Sequence, residues 1–467
     1  MVAKLIVSSS SRFLPFARAL STRPAFSLLT NVAYHTFLGK SAVNSAVQQQ
    51  QQRNYTANYT RNLPSIVCKD LNKKSHQDFS FNLAKRCLVD GLNSTSQKNL
   101  LCSPVSTSAI INMLVPGSKG ETLDQFLDLL GFEEEKLNKS AMRLIDVVKP
   151  LNNVGGAPKI AFSNSIWLDQ QYQLTQSYKE LIKNVHNADV KSVDFLYQAD
   201  DVMEEVNRWS RTKTEGMIKS ILPETSYYND TVMVLANALH FKLGSSDATV
   251  DSNEALMYYC GCFDGSEVLR MPYKQSNTTV VDQDPRSFSM YVLVPSNPSE
   301  ENDDPRWGVT PIKQKKSLQE IIEEMKVDGK TAFEKQIKRQ KVEISDILIP
   351  KFNLESEISL SNTMNDLGLT FPFKAGQNEL MRFIDSPISD LLYVTDITQK
   401  SRIECNKGGI SFSVVTYTTL CGPQHWFPTS SKLKFVAENP FMFMIQEDIS
   451  GAVVSVGTML STPLSKF

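Results

Sequence analysis

Five histidines, seven cysteines and a scatter of serines are the side chains that could carry nucleophilic, acid–base or metal chemistry in this chain. Their spacing supports none of the usual arrangements. His35, His76, His186, His240 and His425 never fall in an HExxH pattern, so no helix face presents two imidazoles to a zinc ion. No serine sits in GxSxG, the turn that exposes a hydrolase nucleophile. GxGxxG and GxxxxGK[ST] are absent too, so there is no glycine-rich cradle for phosphate. A dispersed triad is defined by geometry and stays open on sequence alone. Cys68, Cys87, Cys102, Cys260, Cys262, Cys405 and Cys421 contain no CxxC pair. Cys260-Gly-Cys262 stands alone, where zinc needs three or four clustered ligands. An odd, sparse set of thiols fits a reducing compartment better than a disulfide scaffold. The expectation is a protein that is not an enzyme and holds no metal or cofactor.

The elements available to position any site belong to an ordinary globular composition, 41% hydrophobic and 21% charged over 467 residues. Eight of the 49 Lys and Arg but none of the 50 Asp and Glu lie in residues 1–69. The remainder is mildly acidic, which argues against a nucleic-acid or anionic-membrane partner. No apolar run is long enough to span a bilayer. The first 69 residues, rich in Arg and Ser and containing the run Gln48 to Gln52, have the composition of an organellar transit peptide, with a mitochondrion as the expected destination. A disordered tail or a mistaken gene start is the alternative, and then the cytoplasm, nucleus or extracellular space is the location. Residues 70–467 form the expected folded domain, a monomer.

From His76 the pattern turns globular. Phe79, Leu83, Cys87 and Leu88 share one helical stripe, and STSAIINMLVPGSKGETLDQFLDLLGF reads as two helices about a glycine turn. Val202, Val206 and Trp209 fall on one face of a further helix. IAFSNSIWL, TVMVLANALHF, FSMYVLVP, VEISDILIPKF and a C-terminal pair are strand candidates. Ser296 to Arg306 is a solvated loop, and SLQEIIEEM a short amphipathic helix after it. Helices come mainly early and strands mainly late, which indicates α+β rather than repeated βαβ units.

Several of these segments, in order, resemble a serpin, and more narrowly a plant-type serpin. NLLCSPVSTSAIINML is similar to the helix that opens with Ser-Pro-x-Ser, here Ser103, Pro104 and Ser106. PGSKGETLDQFLDLLGF, SVDFLYQADDVMEEVNRWSRTKTEGMIKSILP, VLANALHFK, VLRMPYK, VEISDILIPKF and FVAENPFMFMI continue the likeness from about residue 76 to 463. The resemblance implies an α+β serpin fold of three β-sheets with eight to nine helices and an exposed reactive-centre loop. It also implies a serine or cysteine protease as partner. In that family the loop is cut and then inserts as a new strand into the main sheet, distorting the attached protease. Insertion must outrun hydrolysis of the acyl bond.

In this chain the hinge of that loop matches Gly408 and Gly409, followed by Ile410-Ser411-Phe412-Ser413-Val414-Val415-Thr416. Inhibitory members have threonine and then mostly alanines there. Alternate residues of a strand share a face, so Ile410, Phe412, Val414 and Thr416 would point into the core together. Overpacking costs about 1–3 kcal/mol per site, hence about 3–6 kcal/mol for two or three sites. At 1.36 kcal/mol per tenfold, insertion slows by about 10²–10⁴. A weak or non-inhibitory serpin is therefore expected, with a working inhibitor and a chaperone-like binding protein as alternatives. The same alternation also suits a strand fixed permanently in a sheet.

The bait region is Leu420, Cys421, Gly422, Pro423 and Gln424. Counting from Gly409 puts the cut near Pro423, or at Cys421 if a short gap is allowed. Plant inhibitors have Leu-Arg at that point, whereas Leu420 is followed by Cys421. Proline lacks the N–H and fixes φ, which disfavours a trypsin-like target. The resemblance also implies a buried hydrogen-bond cluster beneath the main sheet, matched here by Ser103, Ser106 and Asn237, with Gln399 at the family's histidine position. Gln donates and accepts, so the cluster can persist with altered geometry. After Lys242 the chain is shorter than the family pattern by about a strand, a turn and a short strand, an expected source of an exposed edge.

Overall fold

Local rules account for most of the helices. The computed structural model describes residues 1–9, 73–94, 98–149, 159–222, 230–242, 257–263, 266–272, 286–296, 316–325, 342–350, 352–376, 379–405, 433–437 and 440–461. In chain order the first half runs β1 (Val2–Ser9), α1 (Lys73–Asn93), β2 (Leu100–Cys102), α2 (Pro104–Leu114), α3 (Gly120–Leu130), α4 (Leu137–Val148), β3 (Lys159–Asp169), α5 (Gln176–Asn184), β4 (Ala188–Val193), α6 (Ala199–Lys213) and β5 (Thr231–Lys242). The second half runs β6 (Met257–Phe263), β7 (Ser266–Pro272), β8 (Phe288–Pro295), α7 (Leu318–Glu324), β9 (Val342–Leu348), β10 (Phe352–Ser359), α8 (Ser361–Asp366), β11 (Leu392–Cys405), β12 (Leu433–Val436), β13 (Phe441–Glu447) and β14 (Val453–Met459). Ser103 caps α2, with Pro104 in its first turn. Ser317 and Glu320 form a reciprocal capping box on α7. Gly131 ends α3 in the left-handed region at φ 67, where a side chain is disfavoured. The stripe Phe79, Leu83, Cys87 and Leu88 on α1 is buried, as is Val202, Val206 and Trp209 on α6.

The described strands form a six-stranded sheet, β10-β11-β1-β5-β3-β4, and an eight-stranded array, β12-β9-β6-β7-β8-β13-β14-β2. The fold is α+β, with eight α-helices among the described residues. The six-stranded main sheet is covered on both faces, which is why β5 reads as a nearly continuous apolar run. Met233 and Leu235 join the core that includes α1 and α2, while Val234, Ala236 and Ala238 join Trp167, Val206 and Trp209 beneath α6. Trp167 and Trp209 meet edge to face with ring centres 5.3 Å apart.

Met1–Ser10 groups with Lys74–Phe467 in one compact unit. Residues 2–9, expected within an extension outside the domain, are therefore a strand of the main sheet. Gln48 to Gln52, the shortened stretch after Lys242 and nearly all of the Ser296 to Arg306 loop lie outside the described residues. Among the described cysteines Cys87 and Cys102 are free and buried, and Cys260 is buried. Cys87 and Cys102 sulfurs are 3.7 Å apart. Their shared hydrogen bond, with burial, holds the Cys87 thiol well above its ordinary pKa, so it stays protonated.

His186, between α5 and β4, is 3% exposed, and burial lowers its pKa to about 4. In the unfolded chain it titrates at the ordinary value, so between about pH 6.5 and pH 4 the unfolded state binds a proton that the folded state does not. The stabilisation from keeping this ring neutral is complete above that window and is lost as the pH falls through it. The expected loss is about 3 kcal/mol. Thermal midpoints taken from pH 7 to 4 should fall, and His186→Asn should flatten the part of the fall within that window.

Candidate functional site

The candidate site is the middle of the main sheet and the helix end beneath it. The N-terminus of α2 meets β11 through one buried side chain, Gln399. Its Oε1 accepts from the Ser103 backbone N–H at 2.6 Å, and its Nε2 donates to the Ser103 carbonyl at 2.9 Å and to Thr107 Oγ1 at 3.1 Å. Both ends of the amide are used on the backbone of one residue, Ser103, which fixes its orientation. Ser103 Oγ donates to the Val454 carbonyl on β14 at 2.7 Å and lies 3.3 Å from Ser106 Oγ. It also accepts from the Ser106 N–H at 3.4 Å as the helix cap. Ser103, Ser106, Thr107 and Gln399 are fully buried. In that setting a satisfied network holds one geometry and a broken one is costly.

Asn237 is not part of this network. On β5 its Nδ2 donates to Asn164 Oδ1 at 2.8 Å and, more weakly, to the Ser163 carbonyl at 3.4 Å. Asn164 in turn donates to the His186 carbonyl at 2.7 Å. Asn237 Oδ1 is buried without a hydrogen-bond partner. The reason for the separation is topological. Ala3 of β1 is in register with Asn237 on one side and Gln399 on the other. Two strand spacings of nearly 5 Å put β5 and β11 about 10 Å apart. The expected cluster of Ser103, Ser106, Asn237 and Gln399 is thus brought together at three positions and divided at the fourth.

Thr107 and Asn164 escaped the sequence reading. Thr107 follows the Ser-Pro-x-Ser run by one residue and was within reach of a helical-turn argument. Asn164 could be found only from the register that sets it opposite Asn237. The hinge, Gly408, Gly409, Ile410, Ser411, Phe412, Ser413, Val414, Val415 and Thr416, lies outside the described residues, as do Leu420, Cys421, Gly422, Pro423 and Gln424. They occupy the connection between the end of β11 at Cys405 and the start of β12 at Leu433. Near that end of β11 the ion pairs Lys400–Glu357 and Arg402–Glu404, at 3.1 and 2.8 Å, are partly exposed and contribute little to stability.

No group of three or more His, Cys, Asp and Glu close enough to hold a metal ion occurs among the described residues. His186 and His240 are each 3% exposed, too enclosed to act on a substrate in this state. No helix among the described residues is long and apolar enough to cross a membrane.

A multi-stranded sheet locked to a capped helix, with a long stretch of sequence between the end of β11 and β12, fits a serpin-type architecture. The family profile described as Serpin (serine protease inhibitor) matches residues 74–462. The chain belongs to the serpin family. It is 32% identical over 414 residues to Serpin-Z2B of Triticum aestivum, covering 84% of this chain and 96% of that protein. It is 27% identical over 403 residues to Serpin-ZX of Arabidopsis thaliana, covering 82% and 96%. Among solved structures it is similar to Arabidopsis AtSerpin1 in a native stressed conformation, with 26% identity, a TM-score of 0.64 and coverage of 84% and 98%.

Proposed function

We propose that this chain is a weak or non-inhibitory serpin, without catalytic activity of its own, whose loop is cut by a serine or cysteine protease faster than it can trap one. The observation that carries this reading is the bulk of the hinge against a filled core. Ile410, Phe412 and Val414 stand where small side chains serve insertion. The strands that would flank an inserted loop already present Met233, Leu235 and Ile397 at 0% exposure. A close-packed interior of that kind has no room for a phenyl ring without strain. Gln399 at the family's histidine position is a further departure from the inhibitory pattern.

A working inhibitor is the second reading, favoured by likeness over most of the length to plant serpins and to AtSerpin1 in a stressed form. The basic, acid-free N-terminal composition supports mitochondrial import.

One nick between Leu420 and Pro428 in the full chain separates the readings. The thermal midpoint is expected to stay within about 2 °C, because no new strand joins the sheet. A rise of roughly 10 °C or more, or a denaturant-stable complex with any member of a serine and cysteine protease panel, favours the working inhibitor.

A further inference from the structure

The main sheet has a strand that its place in the sequence does not announce. β1 lies between β5 and β11 and is antiparallel to both. Val2 is opposite Ala238 and Lys400, and Leu5 is opposite Leu235 and Ile397. The Leu239 N–H extends the ladder to the Met1 carbonyl at 2.7 Å. Helix α2 packs against β1 as well as β5. With β1 removed, β5 and β11 would face each other as two open edges in the middle of the sheet. Such edges recruit a strand.

We propose that the chain's own Val2–Ser9 segment is a resident strand in the place between β5 and β11 that the cut loop of a serpin enters, and that it must leave before this chain's loop can insert. This rests on the reading of the main sheet as the one a cut loop enters.

Four observations support it. A segment returning from the end of β11 at Cys405 must run antiparallel to β11, and β1 already takes that direction. Two strands cannot share one pair of edges, so occupancy is exclusive. The walls are built for a buried strand: Val232, Val234, Leu235 and Ala236 on β5 and Val394 and Ile397 on β11 are 2% exposed or less. The segment itself reads VAKLIVSS, with the unbroken apolar run Leu5-Ile6-Val7 that suits a sheet covered on both faces. Finally, Asn237 Oδ1 is left without a partner while β1 stands between it and Gln399. A buried amide oxygen left unpaired marks a site whose polar groups are not matched to their present occupant.

The ladder is continuous from Val2 to Ile6 and shifts register beyond, after Ile6 against β11 and after Val7 against β5. Release therefore begins at the Ser9 end, where the chain continues into Ser11–Lys73. Loss of the N-terminal segment by proteolysis, the fate of an import signal, would empty the site and leave it open to the loop.

The test is hydrogen–deuterium exchange on the full chain, followed in the peptides covering residues 1–9, 231–239 and 392–400. Val2–Ser9 amides are expected to exchange at least about a hundredfold more slowly than in an unstructured chain. Exchange of that segment at unstructured rates overturns the proposal. Ile6→Pro removes one N–H from a strand paired on both sides, where every N–H is used. It is expected to speed exchange in 231–239 and 392–400 by about tenfold or more. The synthetic peptide VAKLIVSS, added in trans, should then restore protection. Unchanged protection in the variant overturns the proposal, and the unmodified chain decides alone if the variant does not fold.

Nicking the loop separates this inference from the hinge argument. A midpoint that rises in nicked Ile6→Pro but not in the nicked parent supports strand exclusion and removes hinge bulk as the obstacle. A rise in neither, with Val2–Ser9 protected, keeps both. A rise in the nicked parent overturns exclusion by β1.

Discussion

Protease capture by the Ile6→Pro chain is expected to increase by about 10²–10³ when Ile410→Thr and Phe412→Ala are added, with a much smaller gain if β1 is left in place. The argument is one of competing rates. After the loop is cut, insertion competes with hydrolysis of the acyl bond, and every 1.36 kcal/mol removed from the insertion barrier multiplies its rate tenfold. Two overpacked sites at about 1–3 kcal/mol each contribute about 2–6 kcal/mol, of which the transition state feels a part. Stoichiometry of inhibition against a protease that cleaves the loop measures this directly. It should drop sharply in the triple variant. If hinge relief raises capture equally with β1 present, the site between β5 and β11 is not closed by that strand. If it raises capture in neither background, hinge bulk is not the obstacle.

Gln399→Ala is expected to destabilise the folded chain by about 2–4 kcal/mol, the second large effect. The Ser103 N–H loses its acceptor in a fully buried setting, while the Ser103 carbonyl keeps the Thr107 N–H at 3.2 Å. An orphaned buried donor costs about 1–3 kcal/mol, and the void left by the shortened side chain adds to it. Gln399→Met keeps most of the volume and loses only the hydrogen bonds, so it should retain the packing part of the stability. Denaturant midpoints of the three chains separate the two contributions. Equal stability of Gln399→Ala and the parent would mean that the contact between α2 and β11 is held by apolar packing alone.

The α2 cap illustrates how much of the site was legible in the sequence. Ser103-Pro104-x-Ser106 predicts a helix start from local chemistry, and the structure places it there because cap, first-turn proline and following apolar residues act within a few residues of one another. The same holds for the buried stripes of α1 and α6 and for the amphipathic helix α7. β5 was recognisable as a strand from its β-branched and apolar run, although that run could not say which residues its two faces meet. The pairing of Gln399 with Ser103 followed from the family resemblance. That Gln399 grips both the backbone N–H and the backbone carbonyl of Ser103 did not.

Asn237 and residues 2–9 show where local reading ends. VAKLIVSS is as compatible with a targeting segment as with a strand, because its composition satisfies both and its neighbours in sequence give no pairing information. By itself the sequence determined helices α1, α2, α3, α6 and α7, strands β3, β5, β8 and β9 with the C-terminal pair, and the serpin family. Only the tertiary structure decided that the N-terminal strand stands between β5 and β11, and hence that Asn237 turns to Asn164 instead of joining Gln399. Helix caps and apolar stripes are set by residues a few positions apart, whereas a place in a sheet is awarded by edges contributed from hundreds of residues away.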